Sequence, residues 1–340
     1  MKTKTLFSIF FVFFFTLSVF AQNIITVDNS TAAADSDYTS IDSAIANANI
    51  DDIIMVYGSP ISYGTVTVNK RVKIIGVGYY LTENPNTQTT GSEAVIQNIY
   101  FQAGASGASL IGMYLSSTTS IQEDNIFLQR CRLNSVYIYN RNGIIIDQCI
   151  SGPIRNESGG STTGLTVSNS SISAIYSASN TSTNIVSGTF LNNIFTHVGT
   201  SLPKNSIYKN NIFTYSSSAY YTVRETGGNI FSNNIWVQSQ GPKNLNNGNS
   251  GVNTGNLFGA SAAALFLGAT GNSTDGQYQL KASSPALGAG QGGVDCGIFG
   301  GTTPYVLSGI PPIPTIYELN AATSATTSGG LQVEIKLKTN

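Results

Sequence analysis

Side chains able to act on an acidic sugar are concentrated between residues 130 and 157. Arginine can hold a carboxylate through two parallel hydrogen bonds, and tyrosine offers a flat apolar ring with a polar edge. Any substrate site is therefore expected here. The candidate catalytic residues are Arg132, Arg141, Arg155 and Asp147, and the candidate substrate-binding residues are Tyr137, Tyr139 and Arg130.

The chemistry that this set suggests is β-elimination of a uronate sugar. The reaction needs a base for the C5 proton and a positive charge for the sugar carboxylate. Ca²⁺ bound by Asp or Glu can supply that charge, so Ca²⁺ is expected only if the protein is a lyase. Otherwise neither a cofactor nor a metal site is predicted. The alternative is that these arginines point outward and pair with their own acidic neighbours.

Other catalytic arrangements have little support in the sequence. The only histidine, His197, has no catalytic partner near it in the chain. The adjacent acidic pairs are Asp51-Asp52 and Glu123-Asp124. We interpret the first pair as part of a turn and the second as solvated. A metal site built from Cys and His would need all three cysteines and the one histidine, and none is predicted.

The composition favours a β protein with a weakly charged surface. Charged residues make up 10% of the 340-residue chain, compared with about 25% in a typical globular domain. The formal net charge is −1, so the chain lacks the basic balance that nucleic-acid binding requires. No nucleic-acid partner is predicted.

The N-terminus has the pattern of a secretory signal peptide. Lys2 and Lys4 precede an apolar run over 6–20, and Ala21 offers a small residue for cleavage. The run is shorter than the roughly 20 residues that a membrane-spanning helix needs. We assign 1–21 to the signal peptide and expect no membrane span after its removal. The mature protein is expected outside the cell or on its surface.

A six-residue phrase recurs through the middle of the chain. Each copy has an aliphatic residue, four positions often rich in Asn or Ser, and a second aliphatic. The copies lie at 110–115, 128–133, 145–150, 167–172, 207–212 and 230–235, with a weaker one at 189–194. Successive copies are 17 to 23 residues apart, which indicates stacked coils of a solenoid. The longer coils have loops near 159–164 and 177–183, where binding surfaces are usually built.

A helix before the repeats is predicted to cap the solenoid. Ile41, Ala44, Ile45 and Ala48 have the spacing of one apolar helix face, and Thr39 or Ser40 can cap its start. Short apolar strands follow at 51–58, 65–68 and 72–78. The first coil of a solenoid exposes apolar side chains and unpaired strand edges, so it needs such a cover.

The sequence over 38–78 resembles the opening of the pectin-lyase-like superfamily. The resemblance implies an all-β, right-handed parallel β-helix of secreted bacterial type. Lyases, hydrolases, esterases, epimerases and adhesins share this opening, so it indicates fold and not chemistry. The Trp-Ile-Asp-His and Arg-x-Pro-x-x-Arg phrases of the lyases are absent, as is the Gly-His pair of the hydrolases.

The C-terminal part is predicted to finish the solenoid. The stretch 278–301 resembles the segment that seals the last coil in secreted bacterial β-helix proteins. A Pro-rich connector at 311–314 precedes two strands, at 315–319 and 331–337. We therefore place the β-helix at 22–310 and assign 311–340 to a strand pair that closes the end or covers an edge. A secretion or attachment signal is the alternative for this pair.

One column of polar side chains is expected inside the coils. Aligning the phrases on their final aliphatics places Asn193, Asn211 and Asn234 in one column, preceded by Ser171, Cys149 and Arg132. We interpret this column as structural. The same alignment offsets Cys131 from Cys149 by one position and separates their sulfurs, since adjacent strand residues point to opposite faces. Both cysteines are therefore expected to be small buried residues without a disulfide.

These observations favour a non-catalytic extracellular protein that binds carbohydrate or serves as an adhesin-like scaffold. An extracellular polysaccharide is the expected partner. The alternative is a polysaccharide lyase or a related sugar-active enzyme that acts on an acidic glycan.

Overall fold

The computed structural model describes residues 22–30, 35–89, 91–157, 160–177, 185, 187–196, 202–203, 205–215, 228–237, 253–325 and 327–339. The predicted signal peptide and His197 lie outside them. The strands in chain order are β1 Ile24–Val27, β2 Ile53–Val56, β3 Thr65–Val68, β4 Lys73–Ile75, β5 Val95–Phe101, β6 Ser109–Ile111, β7 Tyr114–Ile121, β8 Phe127–Gln129, β9 Arg132–Ile138, β10 Ile145–Asp147, β11 Ile150–Ser151, β12 Ile154–Asn156, β13 Leu165–Ser168, β14 Ser171–Ile172, β15 Ile175–Ser177, β16 Gly188–Leu191, β17 Ile194–Phe195, β18 Ile207–Lys209, β19 Ile212–Phe213, β20 Ile230–Ser232, β21 Ile235–Trp236, β22 Asn253–Thr254, β23 Leu257–Phe258, β24 Thr315–Ala321 and β25 Val333–Lys338. The helices are α1 Ile41–Asn47 and α2 Ala262–Leu265, with 3₁₀ turns at Gly276–Tyr278 and Leu307–Gly309.

Two long parallel sheets form a β-solenoid. Sheet A has the order β1-β2-β4-β6-β8-β10-β13-β16-β18-β20-β22. Sheet B has the order β3-β5-β7-β9-β11-β14-β17-β19-β21-β23, and β12 and β15 continue it from the second half of β9. From β2 to β23 the chain passes from one sheet to the other in every coil, and in two coils the sheet B strand is divided in two, as β11 with β12 and β14 with β15. The predicted all-β solenoid is confirmed, and its right-handedness stays a prediction.

A two-residue turn joins sheet A to sheet B in eight successive coils. Its first residue has a positive φ, between 44° and 67°. Glycine and asparagine tolerate this conformation best, but arginine and glutamine adopt it in two coils. We call these residues the turn column: Gly112, Arg130, Gln148, Asn169, Asn192, Asn210, Asn233 and Gly255.

The second turn residue points into the solenoid and forms a ladder. Asn211 accepts from the backbone N–H of Asn193 at 2.9 Å and donates to Oδ1 of Asn234 at 2.9 Å. Asn234 donates in turn to Oδ1 of Asn256 at 3.0 Å. The predicted structural asparagine column is therefore present. Strand register gives its members as Cys131, Cys149, Ser170, Asn193, Asn211, Asn234 and Asn256.

The predicted separation of Cys131 and Cys149 is wrong. The backbone N–H of Cys131 donates to Sγ of Cys149 at 3.3 Å, so the two residues stack in the ladder. The error arose because Ile150 was aligned with Leu133, whereas the sheet pairs Ile150 with Arg132. The same shift removes Arg132 and Ser171 from the predicted column. Both cysteines are free and fully buried, as expected.

The interior changes from aliphatic to aromatic along the solenoid. The coils from β2 to β13 are filled mainly by Val, Leu and Ile. Beyond them, Phe190, Tyr208 and Phe231 stack behind sheet A with ring centres 4.7–4.8 Å apart. Phe195, Phe213 and Trp236 stack behind sheet B. Offset stacking of this kind adds about 0.5–1.5 kcal/mol per pair to the burial of the rings.

The N-terminal cap forms as predicted. Helix α1 buries Ile41, Ala44 and Ile45 and packs on β1, β2 and β3. The edge strands are also capped by carboxylates, since Asp37 accepts from the N–H of Thr26 in β1 and Asp42 from that of Thr67 in β3. Occupied edge N–H groups cannot pair with another chain, which protects the first coil from strand addition.

The segment predicted to seal the last coil, 278–301, begins there, since Tyr278, Leu280 and Ala286 pack in one cluster with Ile235 and Leu265. The segment 289–310, here called the C-terminal strap, continues back along the outside of the solenoid. Each non-glycine residue of the turn column bonds to it. Asn233 donates to Ala289, Asn210 accepts from Gln291, Asn192 donates to Asp295, Asn169 to Ile298 and Gly300, Gln148 to Thr303 and Pro304, and Arg130 to Ile310. The strap thereby ties six coils together.

The two C-terminal strands form a separate antiparallel hairpin. Strands β24 and β25 pair with each other and with neither solenoid sheet. The hairpin follows Pro311, which packs beside Gly112 and not beside the last coil, β22–β23. Neither strand is added to an edge of a solenoid sheet, and the predicted role of the pair in closing the end or covering an edge stays a prediction.

Candidate ligand-binding surface

The second half of sheet B forms an outward polar and aromatic face. It consists of β3, the second halves of β5, β7 and β9, and the short strands β12 and β15, all in parallel register. Alternate residues, such as Ile99, Val136 and Ile154, are fully buried. Because strand side chains alternate between faces, the residues next to them point outward.

One outward column on this face carries tyrosines at alternate coils. We call it the Tyr–Arg strip: Tyr100, Ser120, Tyr137, Arg155 and Tyr176, in adjacent coils. Ser120 is only 2% exposed, since its neighbours in the column are two larger tyrosines. The other four side chains are partly exposed.

Arg155 lies between two tyrosine rings of the strip. Its guanidinium carbon is 5.9 Å from the ring centre of Tyr137 and 5.0 Å from that of Tyr176. Contacts of this kind hold the cation in place and leave its N–H edge available. Nε of Arg155 is buried without a hydrogen-bond partner in the described residues. No ion pair of Arg155 is found in this part of the chain either.

Hydroxyl and amide side chains flank the strip. Asn98, Thr118 and Ser135 form a column on one side, and Asn98 donates to Oγ1 of Thr65 at 3.2 Å. On the other side the backbone hydrogen bonds place Gln102, Gln122, Tyr139 and Glu157 in register. Donors and acceptors on both sides of a row of flat rings are suited to the hydroxyl groups of a sugar chain.

Arg132, a predicted catalytic residue, lies on a different part of sheet B. It begins β9, and its register partners in the neighbouring coils are Tyr114 and Ile150. Its guanidinium carbon is 4.2 Å from the ring centre of Tyr114 and 4.5 Å from that of Tyr80. Tyr80 belongs to the long insertion between β4 and β5.

The remaining predicted residues are dispersed around the coil. Arg130 is buried in the turn column, where it donates to Gln148 and Ile310. Asp147 lies on sheet A and accepts from Gln129 and Ser168. Arg141 follows β9 in the turn that leads to β10. The structure thus brings Tyr137, Tyr139 and Arg155 to one face and places Arg130, Arg132, Arg141 and Asp147 elsewhere.

The alternative that these arginines pair with acidic neighbours does not describe the structure. In the described residues, the ion pairs are Arg71 with Asp51, and Lys336 with Glu318 and Glu334. Arg132, Arg141 and Arg155 form none of them. Glu157 lies two residues from Arg155 without pairing to it. Within the described part of the chain, the three guanidinium groups therefore have no direct acidic partner.

A second polar cluster is buried beneath the strap. Tyr79 and Tyr305 join their hydroxyls at 2.8 Å, and Tyr305 donates to Oδ2 of Asp275 at 3.0 Å. Asn84 and the N–H of Ser308 also donate to this carboxylate. Burial holds the pKa of Tyr79 and Tyr305 well above the usual value. The cluster joins the β4–β5 insertion to the strap and has no exposed reactive group.

The sequence prediction missed four tyrosines, Tyr80, Tyr100, Tyr114 and Tyr176. Three tyrosines of the strip share a signal that could have revealed it, because each follows a buried residue in an aliphatic–Tyr pair: Ile99-Tyr100, Val136-Tyr137 and Ile175-Tyr176. Tyr80 has no such signal, since it reaches Arg132 from an irregular insertion.

The described residues contain no group of three or more His, Cys, Asp and Glu side chains placed to hold a metal ion. None of their helices is long and apolar enough to cross a bilayer. In comparisons with known proteins, no family model matches the chain and no curated protein is significantly similar to it.

Proposed function

We propose that this is a secreted or cell-surface protein that binds an acidic polysaccharide along the Tyr–Arg strip. The observation that carries the proposal is Arg155, an arginine without an ion pair in the described residues, set between Tyr137 and Tyr176 on an outward sheet face. The signal-peptide pattern at 1–21 supports export. The sequence pattern of 38–78 supports a relationship to the pectin-lyase-like superfamily.

The strip suits an extended chain that runs parallel to the solenoid axis. Neighbouring strands of a sheet are about 4.8 Å apart, so Tyr100, Tyr137 and Tyr176 recur about every 10 Å. The rise per sugar in an extended glycan is similar to one strand spacing. Every second sugar could then contact a tyrosine ring of the strip. The sugar that lies between Tyr137 and Tyr176 would contact the guanidinium of Arg155. The flanking amides and hydroxyls would bond to sugar hydroxyls.

An acidic glycan is favoured over a neutral one because of Arg155. A carboxylate can accept two parallel hydrogen bonds from a guanidinium, and such charge-assisted bonds contribute about 1.5–3 kcal/mol. The aromatic neighbours reduce the solvent around the cation and fix its plane. A neutral sugar would form only the weaker bonds.

The proposal is tested by calorimetric titration with hexagalacturonate and with a neutral hexaglucoside. We expect the acidic hexamer to bind more tightly, and Arg155→Gln to weaken its binding at least about tenfold. Tyr137→Ala should weaken both ligands. Lys209→Gln, which removes the same charge from sheet A, is the matched control and should leave both affinities within about twofold. Equal binding of the two hexamers, or unchanged binding by Arg155→Gln, would contradict the proposal.

The lyase alternative has one geometric point in its favour. Arg155 and Glu157 lie on the same side of one strand segment without pairing, so both could meet one sugar. A lyase would produce an unsaturated sugar that absorbs near-ultraviolet light when the protein is incubated with pectate or alginate, with and without Ca²⁺. Absorbance that grows with time and is lost in Arg155→Gln would favour the enzyme. Absorbance that stays constant while the polysaccharide is bound would favour a non-catalytic binding protein.

A further inference from the structure

Arg132 provides a second candidate site, away from the Tyr–Arg strip. It lies in the first half of sheet B, whereas the strip occupies the second half. Tyr80 comes from the insertion that precedes β5, and Tyr114 from the neighbouring coil. The site is therefore assembled from two coils and an inserted loop.

The guanidinium of Arg132 is placed by aromatic contacts alone. Both rings lie within 4.5 Å of its central carbon. In the described residues it forms no hydrogen bond and no ion pair, although a guanidinium carries five N–H donors. With both rings against its central carbon, we infer that a ligand approaches the guanidinium along its edge. That is the direction in which the N–H groups point.

The neighbouring carboxylates are already engaged. Glu93 accepts from the backbone N–H of Tyr80 at 2.5 Å, and Glu83 accepts from that of Thr274 at 2.7 Å. Burial raises the pKa of the Tyr80 hydroxyl, the nearby charge of Glu83 also raises this pKa, and the charge of Arg132 lowers it. Neither carboxylate forms an ion pair with Arg132, so its charge is left for a ligand.

Tyr80 is held in an unfavourable backbone conformation that directs its ring to Arg132. Its φ is 51°, a region that bulky side chains rarely adopt. Three hydrogen bonds hold it there: Glu93 on its N–H, and Ser308 Oγ and the N–H of Glu83 on its carbonyl oxygen. Strain maintained by surrounding contacts is a common property of ligand-binding positions.

We propose that Arg132, flanked by Tyr80 and Tyr114, binds a carboxylate group of a small acidic ligand in an edge-on, two-bond arrangement. A carboxylate is planar, so it can lie in the plane of the guanidinium, at its edge, without contact with the rings of Tyr80 and Tyr114. Sulfate and phosphate are tetrahedral and carry oxygens out of that plane, toward the rings. The site therefore discriminates by shape among oxyanions of equal or greater charge.

The direct test is the ¹⁵Nε–Hε resonance of Arg132 during titration with galacturonate monosaccharide, acetate, sulfate and phosphate. The resonance is assigned by its absence in Arg132→Lys. We expect galacturonate and acetate to shift it in a saturable manner, with dissociation constants at least about fivefold below those of sulfate and phosphate. No shift at high galacturonate, or tighter binding of the tetrahedral anions, overturns the proposal.

Variants separate this site from the strip and from a purely structural role. Arg132→Lys keeps the charge but loses the planar fork, so calorimetric binding of galacturonate should weaken at least about fivefold. Arg155→Gln, the other tyrosine-flanked arginine, should leave the Arg132 shifts unchanged, whether or not it affects polysaccharide binding. If Arg155→Gln abolishes the shifts and Arg132→Lys binds normally, the ligand belongs to the strip and the proposal fails. The wild-type resonance keeps the test decisive even if Arg132→Lys is less stable.

Discussion

Nη1 of Arg130 donates to the carbonyl oxygen of Ile310 at 2.7 Å, a contact between residues 180 positions apart. It is the last of a series in which one turn residue per coil holds the C-terminal strap. A solenoid whose coils contact only their neighbours has little long-range cooperativity. The strap adds contacts that bridge six coils, so we expect the described solenoid and strap to unfold together.

The first prediction concerns Asn169, which donates to Ile298 and Gly300 at 2.9 and 2.7 Å. Asn169→Gly keeps the turn conformation, because glycine accepts a φ of 44°, and removes both bonds. The carbonyl oxygen of Gly300 loses its side-chain donor, whereas that of Ile298 keeps the N–H of Tyr305, so the free energy of unfolding in urea should fall by about 1–3 kcal/mol. Protease cleavage within 289–310 should become faster.

Asn205→Gly is the matched control for that change. Asn205 also has a positive φ, 51°, and is exposed, without a contact to the strap in the described residues. Its replacement should change the free energy of unfolding by less than about 0.5 kcal/mol. Equal losses in the two variants would mean that the turn and not the strap contact determines the effect.

The second prediction concerns the ladder. The Asn211 side chain accepts from the N–H and Nδ2 of Asn193 and donates to Phe190 O and to Asn234 Oδ1. Asn211→Ala removes four buried bonds and leaves the N–H of Asn193 without its acceptor, although Asn193 Nδ2 keeps Val167 O and Asn234 Oδ1 keeps the N–H of Asn211. Urea unfolding should therefore show a loss of about 2–4 kcal/mol.

Asn256→Ala tests the ladder from its end. Asn256 is partly exposed and donates to Phe231 at 3.0 Å, so water can replace some of the lost bonds. The decrease in unfolding free energy caused by Asn256→Ala should be about half of that caused by Asn211→Ala. Equal costs at the two positions would contradict a ladder whose strength depends on burial.

The repeat predicted the solenoid correctly because stacked coils need inward aliphatics at regular intervals. The repeat did not predict correctly, in every coil, which residues of a strand point inward. Ile145, Ile207 and Ile230 begin three of the phrases but point outward, at 39%, 39% and 37% exposure. The inward residues are the next ones along: Ile146, Tyr208 and Phe231. A slip of one residue exchanges the faces of a strand, and a phrase that accepts only aliphatics overlooks buried aromatics.

The candidate surface was only partly predictable for a related reason. Tyr137, Tyr139 and Arg155 were identified by their chemistry, and they share a face because their strands pair. Arg130 was also selected as a binding residue by its chemistry. Its positive φ of 50° and its contact with Ile310 depend on a strap far away in the sequence. Local composition contains no information on such a partner.

The third prediction concerns the cysteines. Burial raises the pKa of the Cys296 thiol to about 12 and that of Cys149 well above its usual value. The thiolate, which is the reactive form, is therefore scarce at pH 8. Ellman's reagent should modify fewer than one thiol per folded chain within an hour and all three in guanidinium chloride. Rapid modification of one or more thiols in the folded protein would contradict this burial.

The fourth prediction is a loss of stability in alkali. Burial raises the pKa of Tyr63 to about 12, compared with about 10 in an unfolded chain. A folded-state pKa above the unfolded value stabilises the fold fully below pH 10, and this contribution is lost as the pH rises toward 12. The urea midpoint should fall across that range.

Tyr63→Phe provides the comparison for the alkaline transition. This substitution removes the titrating hydroxyl together with its bond to Tyr57 O. The variant should therefore be less stable than the wild type at pH 8, but it should lose less stability between pH 10 and 12. A decline as steep as that of the wild type would show that Tyr63 does not contribute to the pH dependence. Tyr57→Phe, which changes an exposed tyrosine, should retain the wild-type slope.

Whether an acidic glycan lies along the Tyr–Arg strip would be seen in a crystal structure with hexagalacturonate bound. We expect density for an extended chain parallel to the solenoid axis, with sugar rings on Tyr137 and Tyr176 and a carboxylate within about 3 Å of the Arg155 guanidinium. A chain bound on sheet A or along the strap, with the strip empty at saturating ligand, would contradict the proposal.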